Sequence, residues 1–187
     1  MTIANQLGSF KSAWGAVVAA VAAGPLVMWT SDLQPPWPPG SFAIASLACA
    51  VAVWLAISLK SLLTRPRNLK LIGAGSLLMG LVLGAMYVGA FSRYVQWFEI
   101  ITETGTRTES VVVGTDLNPG VVLGKGGAKK ALLDARTEAD EVWTEASIRQ
   151  SNEILLALFV SMFFFLTLGS ASIVLSHRVS VSSRGKP

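Results

Sequence analysis

Four uncharged stretches, each long enough to cross a lipid bilayer as a helix, constrain this chain more than any other feature of its sequence. They cover residues 13–29, 41–59, 71–92 and 154–176. A membrane-spanning helix needs about twenty predominantly apolar residues. The chain is 52% apolar and only 14% charged, whereas soluble domains are about a quarter charged. The sequence therefore predicts an all-α membrane protein with four transmembrane helices.

The first stretch is the shortest, and it has a second interpretation. Gly24 and Pro25 would bend a membrane helix, which is tolerated when neighbouring helices satisfy the freed backbone groups. Alternatively, Lys11 would be the charged end of a secretory signal peptide with a cleavage site of small residues at 20–22. Apolar character continues past that site as far as Trp29. This favours a membrane span, and both interpretations leave the other three spans unchanged.

The charges in the loops predict the orientation of the helices. The loop between the second and third spans and the tail after the fourth carry basic residues and no acidic ones. Most acidic residues fall between the third and fourth spans. Positively charged loops remain in the cytoplasm, so both termini are predicted to be cytoplasmic and the protein to lie in the inner cell membrane. The same rule explains the net charge of +4 without a nucleic-acid partner.

The chain then divides into four parts along its length. These are a three-helix part (1–92), an extracytoplasmic segment (93–153), the fourth helix (154–176) and a basic cytoplasmic tail (177–187). The extracytoplasmic segment predicts a small α+β cap between helices 3 and 4.

Local patterns predict the elements of this cap. β-Branched residues at 98–102 and 108–113 predict two strands, and 121–123 a third short one. The sequence Asn118-Pro119-Gly120 predicts a tight turn between the second and third of these strands. Apolar residues recur at helical spacing from 132 to 146, which predicts one helix that breaks before Thr144 and restarts into the last span. Its alanine-rich stripe is narrow, so we expect the cap to fold only on its membrane helices.

No motif predicts a reaction, a metal or a cofactor. The glycine-rich loop at 120–126 has three residues between its first two glycines, and Gly126 stands where a phosphate loop has Ser or Thr. The acidic residues at 134–145 have no histidine or cysteine nearby, and Cys49 is the single cysteine. The spans contain no Asp, Glu, Lys, Arg or His, which disfavours proton-coupled transport and intramembrane hydrolysis. We therefore expect a protein that is not an enzyme.

Two sets of residues predict contact surfaces. Small residues on the third span would let another helix approach closely; the candidate helix-packing residues are Ser76, Gly80, Gly84, Ala85 and Gly89. That surface would pack on the first or second span, or on another copy of the chain. In the cap the apolar stripe would meet a partner; its candidate partner-binding residues are Ala139, Val142, Trp143 and Ala146.

The fourth span differs from the third because it is bulky. Its phenylalanines cover most directions around the helix, which predicts a lipid-facing surface or one that fits a partner groove; they are Phe159, Phe163, Phe164 and Phe165.

Two stretches carry a resemblance. The run Val113-Gly114-Thr115-Asp116-Leu117-Asn118-Pro119, followed by residues 142–149 leading into the last span, resembles a box found in small multi-pass bacterial membrane proteins without assigned chemistry. Some of those proteins resemble the membrane-perturbing effectors of bacterial defence systems, which are also short and multi-pass. The resemblance implies membrane association and no particular reaction.

Three classes of function fit these observations. The first is a non-enzymatic scaffold or accessory subunit that acts by association through its outer cap. The second is an oligomerising, membrane-disrupting effector of the defence or toxin type, and the third is a channel for small neutral solutes. The expected partners are the lipid bilayer and either another copy or a second membrane or envelope protein. No nucleic acid and no cofactor is expected.

Overall fold

The computed structural model describes residues 41–63, 66–102, 105–124, 127–135 and 138–184. The predicted first span and its candidate cleavage site lie outside these residues. The described chain is mostly helical with one small sheet. Its elements are α1 (Ser41–Leu62), α2 (Pro66–Tyr94), β1 (Val95–Thr102), β2 (Gly105–Val112), α3 (Gly127–Asp134), α4 (Ala139–Val142) and α5 (Glu145–Arg184).

Three of these helices are long and apolar enough to cross a membrane. They contain the segments Ala43–Leu62, Arg67–Tyr94 and Glu145–Ser176. The second, third and fourth predicted spans are therefore confirmed as long apolar helices. Helix α5 has 40 residues and is ~60 Å long at 1.5 Å per residue. It therefore extends beyond both ends of the uncharged stretch at 154–176.

The described residues form two compact units. The helical unit comprises residues 41–85 and 159–184, and the cap unit comprises residues 86–158. Helices α2 and α5 contribute to both units.

Small side chains line the inside of the helical unit. On α1 the buried residues include Ala45, Cys49, Ala52 and Ala56, whereas Leu47 and Trp54 of the same helix are exposed. Lipid tails are as apolar as leucine, so a large side chain gains little by pointing inward, while a small one lets helices approach. The core of this unit combines α1, α2 and α5; its buried residues are Ala52, Ala56, Leu69, Leu168, Ala171 and Leu175.

A β-hairpin begins the cap, as the sequence predicts. Strands β1 and β2 pair antiparallel, from Val95 opposite Val112 to Thr102 opposite Gly105. The predicted turn is also confirmed. The Val121 N–H donates to the Asn118 carbonyl at 3.1 Å. Gly120 has a φ of 91°, as a type II turn requires at its third position.

The predicted third strand at 121–123 is wrong, because this segment has no strand conformation. Val121 packs against the cap core, but the side chain of Val122 is 86% exposed. β-Branched residues favour strands only where a neighbouring strand pairs with them and one face is buried. The one isolated bridge in the described chain instead joins Leu117 to Trp143.

The predicted helix over the apolar stripe is in fact two helices. Helix α3 ends at Asp134 and α4 begins at Ala139, after an extended backbone at Glu138. The predicted restart after Thr144 is confirmed, since α5 begins at Glu145 and the Ser147 N–H lies 3.4 Å from the Thr144 hydroxyl. The apolar spacing survives the break because Leu132 of α3 and Val142 of α4 both enter one core. The buried residues of that core are Phe98, Val113, Leu132, Val142 and Trp143.

Candidate association surfaces

Glycines bring the backbones of α2 and α5 into near contact. A Cβ added to Gly169 of α5 would lie 2.8 Å from the Gly73 carbonyl oxygen and from the Leu77 nitrogen. A Cβ added to Gly80 would lie 2.8 Å from the Leu166 side chain and 3.0 Å from its nitrogen. Ordinary side chains do not approach backbone atoms so closely, so these positions accept glycine alone without a shift of the helices.

The structure divides the predicted helix-packing residues between two sides of α2. Gly80 and Gly84 face α5, where a Cβ on Gly84 would meet the Met162 sulfur at 3.2 Å, and Ser76 is buried. Ala85 and Gly89 are exposed, and in the described part of the chain a Cβ on Gly89 would have no neighbour within 4 Å. The partner of Gly80 and Gly84 is therefore α5, a helix that the sequence pattern did not suggest for this role.

Two further glycines form this contact, and the sequence pattern did not single them out. Gly73 lies three residues, just under one turn of helix, before Ser76 of the predicted face, and Gly169 is the single glycine of the fourth span. The run of small residues Gly169-Ser170-Ala171-Ser172 in a phenylalanine-rich helix was the signal that could have found Gly169. Glycine weakens a helix interior and is retained where another backbone approaches.

The sequence predicts that the phenylalanines of the fourth span face lipid or fit a partner groove, but two of the four are buried inside this chain. Phe159 and Phe163 are buried, and their rings pack edge to face with centroids 4.8 Å apart. Phe164 and Phe165 remain partly exposed. The rings of Phe159 and Phe163 therefore lie inside the protein. They belong to α5, the same helix whose Gly169 lies against α2.

Hydroxyl and thiol groups make polar contacts inside the helical unit. The Thr167 hydroxyl of α5 donates to the Cys49 sulfur of α1 at 3.4 Å, and the Ser176 hydroxyl donates to the Ile173 carbonyl at 2.6 Å. Both Cys49 and Thr167 are buried. The Thr167–Cys49 contact joins α5 to α1 without burying a charge, whereas the Ser176 bond lies within α5.

The two stretches that carry the family resemblance lie against each other in the cap. Leu117 bridges to Trp143, and the Asn118 side-chain amide donates to the Asp140 carbonyl at 2.6 Å. The Thr144 N–H donates to the Asp116 carbonyl at 2.9 Å. Backbone and side-chain hydrogen bonds therefore join residues far apart in sequence and fix the start of α5 against the turn.

Gly114 makes this junction possible. A Cβ at Gly114 would overlap the Ser147 hydroxyl and would lie 2.8 Å from the Cβ of Trp143. Gly114 and Ser147 are buried, and the Ser147 hydroxyl donates to the Asp116 carbonyl at 3.2 Å. No sequence pattern assigns Gly114 a role, and the structure shows that its missing side chain makes room for Trp143.

The candidate partner-binding residues do not share one surface. Val142 and Trp143 are only 4% and 3% exposed, in the core of the cap. Ala139 packs against that core and is partly exposed, whereas Ala146 is exposed on α5. The apolar stripe that suggested a partner site is largely the internal face of the cap, so Val142 and Trp143 are not available to a partner.

The acidic residues of the cap helices lie on the surface. All five are exposed, namely Asp134, Glu138, Asp140, Glu141 and Glu145. Among the residues that the structure describes, no three His, Cys, Asp or Glu side chains are grouped as a metal site. An ion pair joins Arg149 to Glu153 at 3.4 Å along α5, and both side chains are largely exposed. Exposed charges of this kind contribute little to stability.

The two-stranded sheet offers hydrogen-bonding groups on its outer edges. In the described chain each strand has a neighbour on one side only. The Val113 N–H donates to the Tyr94 carbonyl at 2.8 Å; the register then directs the N–H of Glu109 toward β1 and that of Thr108 away from it. Unpaired edges of this kind accept an additional strand.

No family model, curated protein or solved structure matches this chain.

Proposed function

We propose that this chain is a four-span integral membrane protein of the inner cell membrane, with both termini cytoplasmic, that acts by association rather than catalysis. Its cap would present the edge of the β1–β2 hairpin to a second membrane or envelope protein, so that the chain serves as a scaffold or accessory subunit. Strand addition suits this geometry because main-chain groups supply most of the affinity.

The observation that carries the proposal is that, among the residues the structure describes, the sheet has two strands and the cap has its own core. The buried Phe98 of β1 anchors the hairpin to Trp143 and Leu132, which gives the strands a fixed base. A two-stranded hairpin is marginally stable alone, and a third strand stabilises it. The close α2–α5 contact also supports association over conduction, because backbones in near contact leave no path between those two helices.

A proline substitution on the outer edge tests this proposal. Thr108→Pro removes an N–H that points away from β1, and proline is tolerated at such edge positions. Thr108→Val keeps the N–H and the strand preference, so it is the matched control. The variants would be extracted from native membranes with a lipid-preserving polymer, and companion proteins quantified by mass spectrometry.

We expect a companion at constant stoichiometry with the wild-type protein and with Thr108→Val, and its loss with Thr108→Pro. Alanine at Asp134, Glu138 or Glu141 should leave that companion in place and the function intact. A wild-type protein that is isolated alone as a monomer, or a function lost on one of the alanine substitutions, would contradict the proposal.

A second candidate, the membrane-disrupting effector, is favoured by one observation. Gly75 and Gly89 of α2 are exposed, and a Cβ on either would have no neighbour within 4 Å among the described residues. Small exposed residues would allow copies to associate laterally. An effector should arrest growth and admit a membrane-impermeant dye when overproduced. Gly89→Leu should abolish both effects, and Thr108→Pro should abolish neither.

A further inference from the structure

The charges of the extracytoplasmic segment are segregated. Residues 93–153 contain ten acidic and seven basic side chains. Between Asp116 and Asp134, however, there are three lysines and no acidic residue. One stretch of an otherwise acidic cap is therefore positively charged, and an anionic surface would attract this stretch while repelling the rest.

The same stretch exposes large apolar side chains. Val122 is 86% exposed and Leu133 51% exposed, and Leu123 is also exposed. Lys129 and Lys130, in the first turn of α3, lie between them in sequence and are exposed as well. We call Val122, Leu123, Lys129, Lys130 and Leu133 the basic apolar segment.

Neighbouring side chains attach the basic apolar segment to the core of the cap. Val121 and Leu132 are the sequence neighbours of Val122 and Leu133, and both pack in the core with Ala128 and Ala131. The Gly127 N–H donates to the Gly124 carbonyl at 2.9 Å, which turns the loop into α3. The exposed side chains are thus presented by a supported backbone.

We propose that the basic apolar segment binds the headgroup layer of the bilayer in which the chain is anchored, and that its ligand is anionic phospholipid. Large apolar side chains beside lysines are the composition of segments that lie in a membrane interface. The lysines supply electrostatic attraction to anionic lipid. Helices α2 and α5 tether the cap to the membrane at both ends, which gives the lipid surface a high effective concentration. This lipid contact is independent of the sheet edge and does not require a protein partner.

A fluorescent label on the full-length protein tests the proposal. The labelled variant is Val122→Cys in a Cys49→Ser background, which leaves one cysteine and keeps a polar group for Thr167. The control is Glu141→Cys in the same background, because Glu141 is exposed among acidic residues. Each protein carries an environment-sensitive dye in nanodiscs of phosphatidylcholine with and without phosphatidylglycerol, and lipids with a headgroup-proximal nitroxide act as quenchers.

We expect the emission of the label at position 122 to shift to shorter wavelength and to be quenched by the nitroxide lipids. Both effects should be stronger with phosphatidylglycerol and absent from the control. Lys129→Glu with Lys130→Glu should remove the dependence on phosphatidylglycerol, whereas Lys129→Arg with Lys130→Arg should keep it. Both lysines are exposed, and an unchanged thermal melt by circular dichroism would confirm that the cap remains folded in each variant.

Three results would overturn the proposal. Emission and quenching equal to those of the control would show that the segment is in water. A shift without quenching by lipid would show that protein covers it, as a second copy would. Equal quenching in both lipid compositions would show contact with the membrane without selection of anionic headgroups.

Discussion

The near contact of α2 and α5 predicts a sharp difference between two glycine-to-alanine substitutions. In Gly169→Ala the new Cβ would lie 2.8 Å from the Gly73 oxygen and the Leu77 nitrogen, whereas ordinary contact begins at 3.4 Å. Both neighbours are backbone atoms and cannot rotate aside. The helices must therefore separate by about 0.6 Å, the difference between those two distances.

The destabilisation follows from the weaker dispersion attraction between helices that have moved apart. The dispersion energy of one atom pair in full contact is ~0.1–0.2 kcal/mol. A gap of ~0.5–1 Å removes about a quarter to a half of that energy. Over the roughly 40 atom pairs that one buried leucine brings together, this weakening amounts to ~2 kcal/mol. This value lies within the ~1–3 kcal/mol observed for overpacked cores. Gly75→Ala on α2 is the matched control, because a Cβ there would have no neighbour within 4 Å among the described residues.

Cys49 provides the assay. It is the single cysteine of the chain and is buried beside Thr167 of α5, so a thiol-reactive fluorogenic maleimide reports opening of the helical unit. When opening and closing are fast relative to labelling, the rate follows the open population, and ~2 kcal/mol corresponds to about a 30-fold faster reaction. Gly75→Ala should stay within about twofold of the wild-type rate.

Two outcomes would refute this reasoning. Labelling of Gly169→Ala at the wild-type rate would show that α2 and α5 are not in near contact. An equal acceleration in Gly75→Ala would show that the effect comes from alanine in the helix rather than from the interface.

The remaining predictions concern the cap and the orientation. Gly114→Ala should destabilise the cap by about 1–3 kcal/mol through overpacking against Trp143, measured by resistance to pulse proteolysis, while Gly124→Ala should change it by less than about 0.5 kcal/mol. Val142→Glu should unfold the cap, because it buries an unpaired charge; an intact, protease-resistant cap would contradict the core assignment. A reporter active only outside the membrane should remain inactive when fused after Pro187, and activity would reverse the predicted orientation.

Local patterns in the sequence were sufficient for the elements that depend on short-range physics. Three apolar stretches are helices because a chain in lipid must satisfy its own backbone hydrogen bonds. The hairpin and the turn at Pro119-Gly120 follow from strand preference and from the positive φ that glycine accepts. Restart of the helix after Thr144 follows from local capping of its first turn. None of these required knowledge of a distant neighbour.

The tertiary structure alone decided which faces meet. Small residues on α2 indicate a contact surface but not its partner, and they lie on two sides of the helix because Gly80 faces α5 and Gly89 does not. Val142 continues the helical spacing of an apolar stripe that suggested a partner surface, yet Val142 and its neighbour Trp143 pack in the cap core with Leu117 and Phe98. The identity of a contact depends on residues far away in sequence. Periodicity reports only that one side of an element is apolar or small, and packing determines what covers it.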